Sequence, residues 1–160
     1  MTAQLILTIG IPGCGKSFWA EEQRLRNPQS VVVVERDLIR EELTGSRQKF
    51  TLERTVTEVA QARAREAWTK GKTVIVSDTN LKDKFRREWR ALASTCGVVM
   101  QIKPFFVPLE ICMERNNARS EGHKVPDHVM ANMYRLFNDT ITSVAAEDDP
   151  VSQIYGLGIS

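Results

Sequence analysis

Histidine is scarce in this 160-residue chain, with His123 and His128 alone, and cysteine is limited to Cys14, Cys96 and Cys112. An odd number of cysteines with no Cys-x-x-Cys spacing excludes a disulfide framework and fits a reducing compartment. Two histidines with no cysteine pair beside them make a metal site built from protein ligands alone an unexpected feature. No apolar run approaches the roughly 20 residues that cross a bilayer, and Met1–Gln4 carries neither Lys nor Arg. Neither a membrane span nor a signal peptide is expected, and the cytoplasm (a host's, if the chain is phage-encoded) is the expected location. Charge is also short of a strong bias, since a net charge of +2 is too mild to establish a polyanionic partner by itself.

What is present is ordinary in bulk: 42% hydrophobic and 26% charged residues, enough for one soluble domain over residues 1–160. The informative stretch is Gly10-Ile11-Pro12-Gly13-Cys14-Gly15-Lys16-Ser17, placed directly after the apolar run Leu5–Ile9. Glycines there let backbone N–H groups turn inward around the β- and γ-phosphates of a nucleotide. Lys16 adds a point charge on the same oxygens, and the Ser17 hydroxyl is placed to ligate Mg²⁺. An NTP, with ATP the first choice, is therefore the expected ligand of Gly13, Cys14, Gly15, Lys16, Ser17 and Phe18. Cys14 reads as a nucleophile or, more simply, as a small side chain tolerated where backbone does the binding.

Four β-branched runs, Leu5–Ile9, Val31–Val34, Thr73–Val76 and Val98–Phe106, alternate with helix-like stretches. That pattern predicts an α/β fold with a parallel sheet of four or five strands, helices on both faces and a phosphate loop after the first strand. Val31–Val34 and Val74–Val76, apolar throughout, read as central strands. Helices are expected from Lys16, over Thr51–Lys70, over about Lys82–Cys96 with an apolar stripe at Leu81, Phe85, Trp89, Leu92 and Cys96, from Pro108 to about Asn116, and from Pro126 to about Ser143. Cys112 falls on a core position. Asn117–Val125 reads as a polar loop, Glu147–Pro150 as a turn, and Gln153–Leu157 as a short last strand.

Ligands of such sheets gather at the carboxyl ends of the strands. After the second run comes Asp37, a general-base candidate, with Arg40 one helical turn on. After the third come Asp78, Thr79 and Asn80. The alternative is that Asp37 caps one helix and Asp78 or Asn80 the next, while Arg40 pairs with Glu41 or Glu42 on a solvated face. Arg115 and Arg119 share one side of a helix end, as lid arginines on a transferring phosphate would, or as plain basic residues at a helix terminus. The basic residues Lys82, Lys84, Arg86, Arg87 and Arg90 lean towards a nucleic acid, although a solvated helix face explains them equally.

Taken in order, Leu7–Glu22, Arg36-Asp37 with Arg40, Ser77–Leu81, Arg115-Asn116, Arg119 and Val125-Pro126 resemble the kinase domain of the T4-type bacteriophage 5′-polynucleotide kinases. The resemblance implies Mg²⁺- and ATP-dependent phosphorylation of a 5′-hydroxyl on single-stranded or end-exposed DNA or RNA, in nucleic acid repair. It implies catalytic roles for Lys16, Asp37 (the base) and Arg119. It further implies that Arg40 holds the phosphate on the 3′ side of the acceptor nucleoside, that Asp78 and Thr79 order the acceptor pocket, that Arg115 and Arg119 grip ATP phosphates, and that Val125 touches a nucleobase. The chain departs from that family at Phe18, where a threonine is usual, and in a shorter segment between Asp37 and Asp78. No Asp-x-Asp-x-Thr/Val motif is present, so 3′-phosphatase activity is not expected. Two alternatives stay open: a kinase for a small-molecule or tRNA-linked hydroxyl, and a nucleotide-binding switch. A homo-oligomer is a further option.

Overall fold

The four runs become strands β1 (Gln4–Ile9), β2 (Val31–Val34), β3 (Thr73–Val76) and β4 (Val99–Pro104), joined by a two-residue β5 (Gln153–Ile154). These come from a computed structural model that describes residues 3–146 and 153–154. Between the strands lie helices α1 (Lys16–Arg26), α2 (Arg36–Thr44), α3 (Glu53–Thr69), α4 (Asp83–Thr95), α5 (Leu109–Asn117) and α6 (Asp127–Ala146). All strand pairs are parallel, in the order β2-β3-β1-β4-β5. Every strand therefore ends on the same edge, and β1 sits inside the sheet with its phosphate loop at that edge.

Alternation along β1 divides the core. Leu5, Leu7 and Ile9 pack with Val74, Val76, Met100 and Ile102 against residues of α3, α4 and α6, among them Val56, Trp68, Trp89, Met130 and Phe137. Ile6 points the other way, to a small cluster with Ile75 and Ala20 under Trp19 of α1. Full burial of side chains such as Leu5 and Leu7 stabilises the fold by about 1.5–3 kcal/mol each, which anchors the strand that carries the loop.

Two readings of the sequence are corrected. The all-valine run of β2 lies at the edge of the sheet, and only Val34 is fully buried. Helices on both faces impose the same apolar composition on an edge strand as on a central one, so the run does not encode strand order. Cys96 is exposed one residue past the end of α4, beyond the buried part of the stripe, whereas Cys112 is fully buried as expected. Glu147–Pro150 and residues 155–157 of the expected last strand lie outside the described residues. Among the described residues, no helix is long and apolar enough to cross a membrane.

Candidate active site

The phosphate loop has the backbone that its glycines predict. Gly13 and Gly15 adopt φ of 83° and 97°, and a Cβ on Gly13 would lie 2.5 Å from the Cys112 carbonyl oxygen. Lys16 is buried, and its ammonium donates to the Ile11 carbonyl at 2.9 Å and lies 3.5 Å from Cys14 Sγ. Cys14 is itself buried, so it packs the loop and does not present a nucleophile. Ser17 and Phe18 open the first turn of α1 to solvent, Phe18 with 79% exposure. No side chain caps this helix, so its first N–H groups stay available to an anion, where the helix dipole also favours negative charge.

Three hydrogen bonds tie the loop to the ends of β2 and β3. Gly10 N–H donates to the Thr79 carbonyl at 3.2 Å, Thr8 Oγ1 donates to the Asp78 carbonyl at 2.8 Å, and Arg36 N–H donates to Asp78 Oδ1 at 3.0 Å. Asp37, next to Arg36, is thereby carried to the same edge as Lys16. The capping alternatives do not hold: α2 starts after Glu35 and α4 after Lys82, neither with a side-chain cap. Asn80 adopts the left-handed φ of 48° and donates to the Thr8 carbonyl at 2.8 Å, which fixes the turn after β3.

The Asp78 carboxyl differs from its neighbours. Oδ2 is buried with no hydrogen-bond partner among the described residues, and burial, opposed by the Arg36 N–H and charge and helped by the nearby Asp37 and Glu35 charges, pushes the group's pKa up to about 7. Asp37, in contrast, has a side chain 64% exposed, with Oδ1 accepting from Arg40 Nη1 at 2.6 Å.

Arg40 is 5% exposed and already engaged. Besides Asp37, it donates to both carboxylate oxygens of Glu53 at 2.8 and 2.7 Å and to the Arg47 carbonyl at 2.9 Å, with its guanidinium 4.5 Å from the Phe50 ring centroid. Four of its five N–H donors are thus taken, which suits a residue that orients Asp37.

Arg115 on α5 donates to the Gly13 carbonyl at 3.1 Å and so rests on the phosphate loop. Arg119 follows one turn later, just past the helix end; its side chain is exposed and has no hydrogen-bond or ion-pair partner among the described residues. The lid then turns through Glu121–His123 to Val125, whose N–H and carbonyl are both held by the fully buried Asn116, at 2.9 and 2.6 Å.

Sequence reasoning gave no role to Glu53 or Asn116 and read Arg86 as part of a charged helix face. Arg86 stood among the basic residues of α4, yet it is buried and donates to the Asn80 and Leu81 carbonyls. That takes it out of any charged surface and makes it a support for the turn after β3. A capping-box spacing would have flagged none of the three, and the i,i+3 spacing of Arg86 from Asp83 suggests only a surface pair, because the hydrogen bonds that bury these side chains go to partners distant in sequence or to backbone atoms.

The profile of the AAA domain family matches residues 5–140. The chain is 28% identical over 148 residues to the L-seryl-tRNA(Sec) kinase of Methanococcus maripaludis, covering 88% of this chain and 55% of that one. It is also 28% identical over 148 residues to a putative bifunctional polynucleotide kinase/RNA ligase of Autographa californica nuclear polyhedrosis virus, covering 84% of this chain and 21% of that one. The chain thus spans about half, or less, of the length of these relatives. A chain of the Pnkp1/Rnl/Hen1 RNA repair complex superposes with a TM-score of 0.78 at 22% identity, over 89% of this chain and 46% of that one. Since the family match spans most of the described sheet and its helices, the protein belongs to the AAA domain family, with the fold of a P-loop kinase.

Proposed function

We propose that the chain transfers the γ-phosphate of ATP to the 5′-hydroxyl of a DNA or RNA strand, acting through residues 1–160 as one catalytic domain. The observation that carries this reading is Asp37: its carboxylate is open on one side, held on the other by Arg40, and sits on the sheet edge that bears Lys16. In the reaction the acceptor oxygen bonds to the γ-phosphorus, the bond to the β–γ bridging oxygen breaks, and Asp37 takes the hydroxyl proton. ADP leaves with the electron pair of the broken bond. Lys16, Arg115 and Arg119 neutralise charge on the phosphate oxygens, and Thr79 and Asp78 shape the acceptor side together with Val125.

The loop fits a nucleotide, because Gly13 and Gly15 hold the left-handed backbone that a phosphate-cradling turn requires and any Cβ on Gly13 would clash with Cys112. Mg²⁺ would be held by Ser17 and the nucleotide's own oxygens. When bound, it supplies further neutralisation of the phosphates.

The relative named as a polynucleotide kinase/RNA ligase supports the strand acceptor, and the ordered resemblance to the T4-type enzymes points the same way. A second reading, a tRNA-linked hydroxyl as acceptor, is favoured by the relative named as a seryl-tRNA kinase. Labelled ATP, Mg²⁺ and a panel of 5′-hydroxyl DNA, 5′-hydroxyl RNA and aminoacylated tRNA acceptors separate the two. Asp37→Asn is expected to lower transfer by roughly two to four powers of ten. Full turnover in that variant would show that another group is the base.

A further inference from the structure

Arg40 is poorly placed to serve a ligand: it is enclosed, four of its five donors are taken, and Phe50 covers its face. The rim around it offers other groups. Arg40 Nη1 donates both to Asp37 Oδ1 at 2.6 Å and to the Arg47 carbonyl at 2.9 Å, so the segment between α2 and α3 passes directly beside the base. Gln48 Nε2 then donates to the Lys124 carbonyl at 3.2 Å, and Glu41 accepts from Arg47 Nε at 3.1 Å while lying 3.7 Å from His123 Nε2. The segment around His123 and Lys124 and the segment between α2 and α3 therefore meet on the rim next to Arg40, which holds Asp37.

Three side chains on this rim are free to meet a ligand. Lys49 is exposed and has no hydrogen-bond or ion-pair partner among the described residues. Among the described residues, the Lys124 ammonium pairs with Glu121 alone, itself 91% exposed, a contact that a phosphate can replace. Phe50 gives one side of its ring to Arg40 and remains 63% exposed. Lys49 precedes Phe50 in the chain and the Lys124 carbonyl is held by Gln48, so two cations and an exposed aromatic share this rim. A single strand needs both: charge for its backbone and a flat surface for a base.

We infer that Lys49, Phe50 and Lys124 form the subsite for the acceptor strand on the 3′ side of the reacting nucleotide, the lysines on its phosphodiester and the ring under a base. Arg40 is then a positioning residue for Asp37, and the contact to the 3′-side phosphate passes to Lys49. This rests on the polynucleotide kinase reading and narrows it to acceptors that carry at least one phosphate beyond the 5′ nucleoside.

The test uses the full chain with a 5′-hydroxyl oligonucleotide of DNA and one of RNA, across a salt series. Lys49→Ala and Lys124→Ala should each raise the acceptor KM by about three- to tenfold and flatten the logarithmic salt dependence by about 0.7, leaving the KM for ATP in place. Phe50→Leu keeps apolar cover over Arg40 and removes the aromatic face; a rise of about fivefold or more in acceptor KM is expected. If the wild-type chain transfers to strand ends while all three variants match its acceptor KM and salt slope, the subsite is wrong and the kinase reading stands. If the wild-type chain transfers to no strand end, both fall.

Discussion

Glu53 grips Arg40 in a fork: Oε2 accepts from Nε at 2.8 Å and Oε1 from Nη2 at 2.7 Å, on the side of the guanidinium away from Asp37. This bidentate pairing fixes the plane of the guanidinium, and with it the nitrogen that meets the proposed base.

Glu53→Gln should therefore act on both stability and rate. The Arg40 hydrogen bonds hold the Glu53 carboxyl below the usual carboxylate range, against the opposing effect of burial. With its pKa lower in the folded state, the pair's contribution is complete above the unfolded carboxyl's value and is lost as pH falls through the folded one. Glu53 is about one-third exposed, so the loss at neutral pH is set at about 1–2 kcal/mol, below that of a fully buried pair. Urea denaturation measures it. Turnover should drop about tenfold with the KM for ATP unchanged, and a variant with wild-type kcat would dismiss Arg40 as a positioning residue.

Gly13→Ala should abolish nucleotide binding with modest loss of the remaining fold. The new Cβ meets the Cys112 backbone at a φ that alanine rarely adopts, so the loop must move off α5. Fluorescent ATP-analogue titration is the readout; affinity within twofold of wild type would mean the loop geometry is not needed.

How much of this was legible beforehand depends on the range of each interaction. The phosphate loop, the parallel strands and the edge that gathers Asp37 and Asp78 follow from local pattern, since a strand–glycine loop–helix run and β-branched runs declare themselves within a few residues. The edge position of β2 was not legible, because sheet order is settled by which way each crossover returns. Nor was the Arg40–Glu53 fork, which joins two helices across a loop, or the burial of Arg86, which a charge pattern reads as solvated. Polar residues whose partners are distant backbone carbonyls leave no periodic trace.

Asn116 illustrates the same point and gives a third prediction. Its amide satisfies both backbone groups of Val125 from a fully buried position at the base of the lid. Asn116→Ala strands those groups and should cost about 1–3 kcal/mol. Amide hydrogen exchange at Val125 should accelerate at least tenfold; unchanged protection there would mean that the lid base is held by other contacts.

The buried Asp78 carboxyl supplies the last test, because its effect on stability has the opposite sign to that of Glu53. With a pKa of about 7 in the folded protein and 3.8 as its ordinary value, Asp78 keeps a proton that the unfolded chain has released between about pH 4 and pH 7. The native state binds more protons in that window, so stability falls as pH rises through it, by no more than about 4 kcal/mol at 1.36 kcal/mol per pKa unit. Asp78→Asn removes the titration while keeping an oxygen to accept from Arg36 N–H. The stability of this variant relative to wild type should therefore climb from pH 5 to about pH 7 and level off by pH 8 in urea denaturation. A difference that stays flat over that range would mean that Oδ2 is hydrated in solution and that Asp78 is an ordinary carboxylate, ionised beside Asp37 whenever the enzyme works.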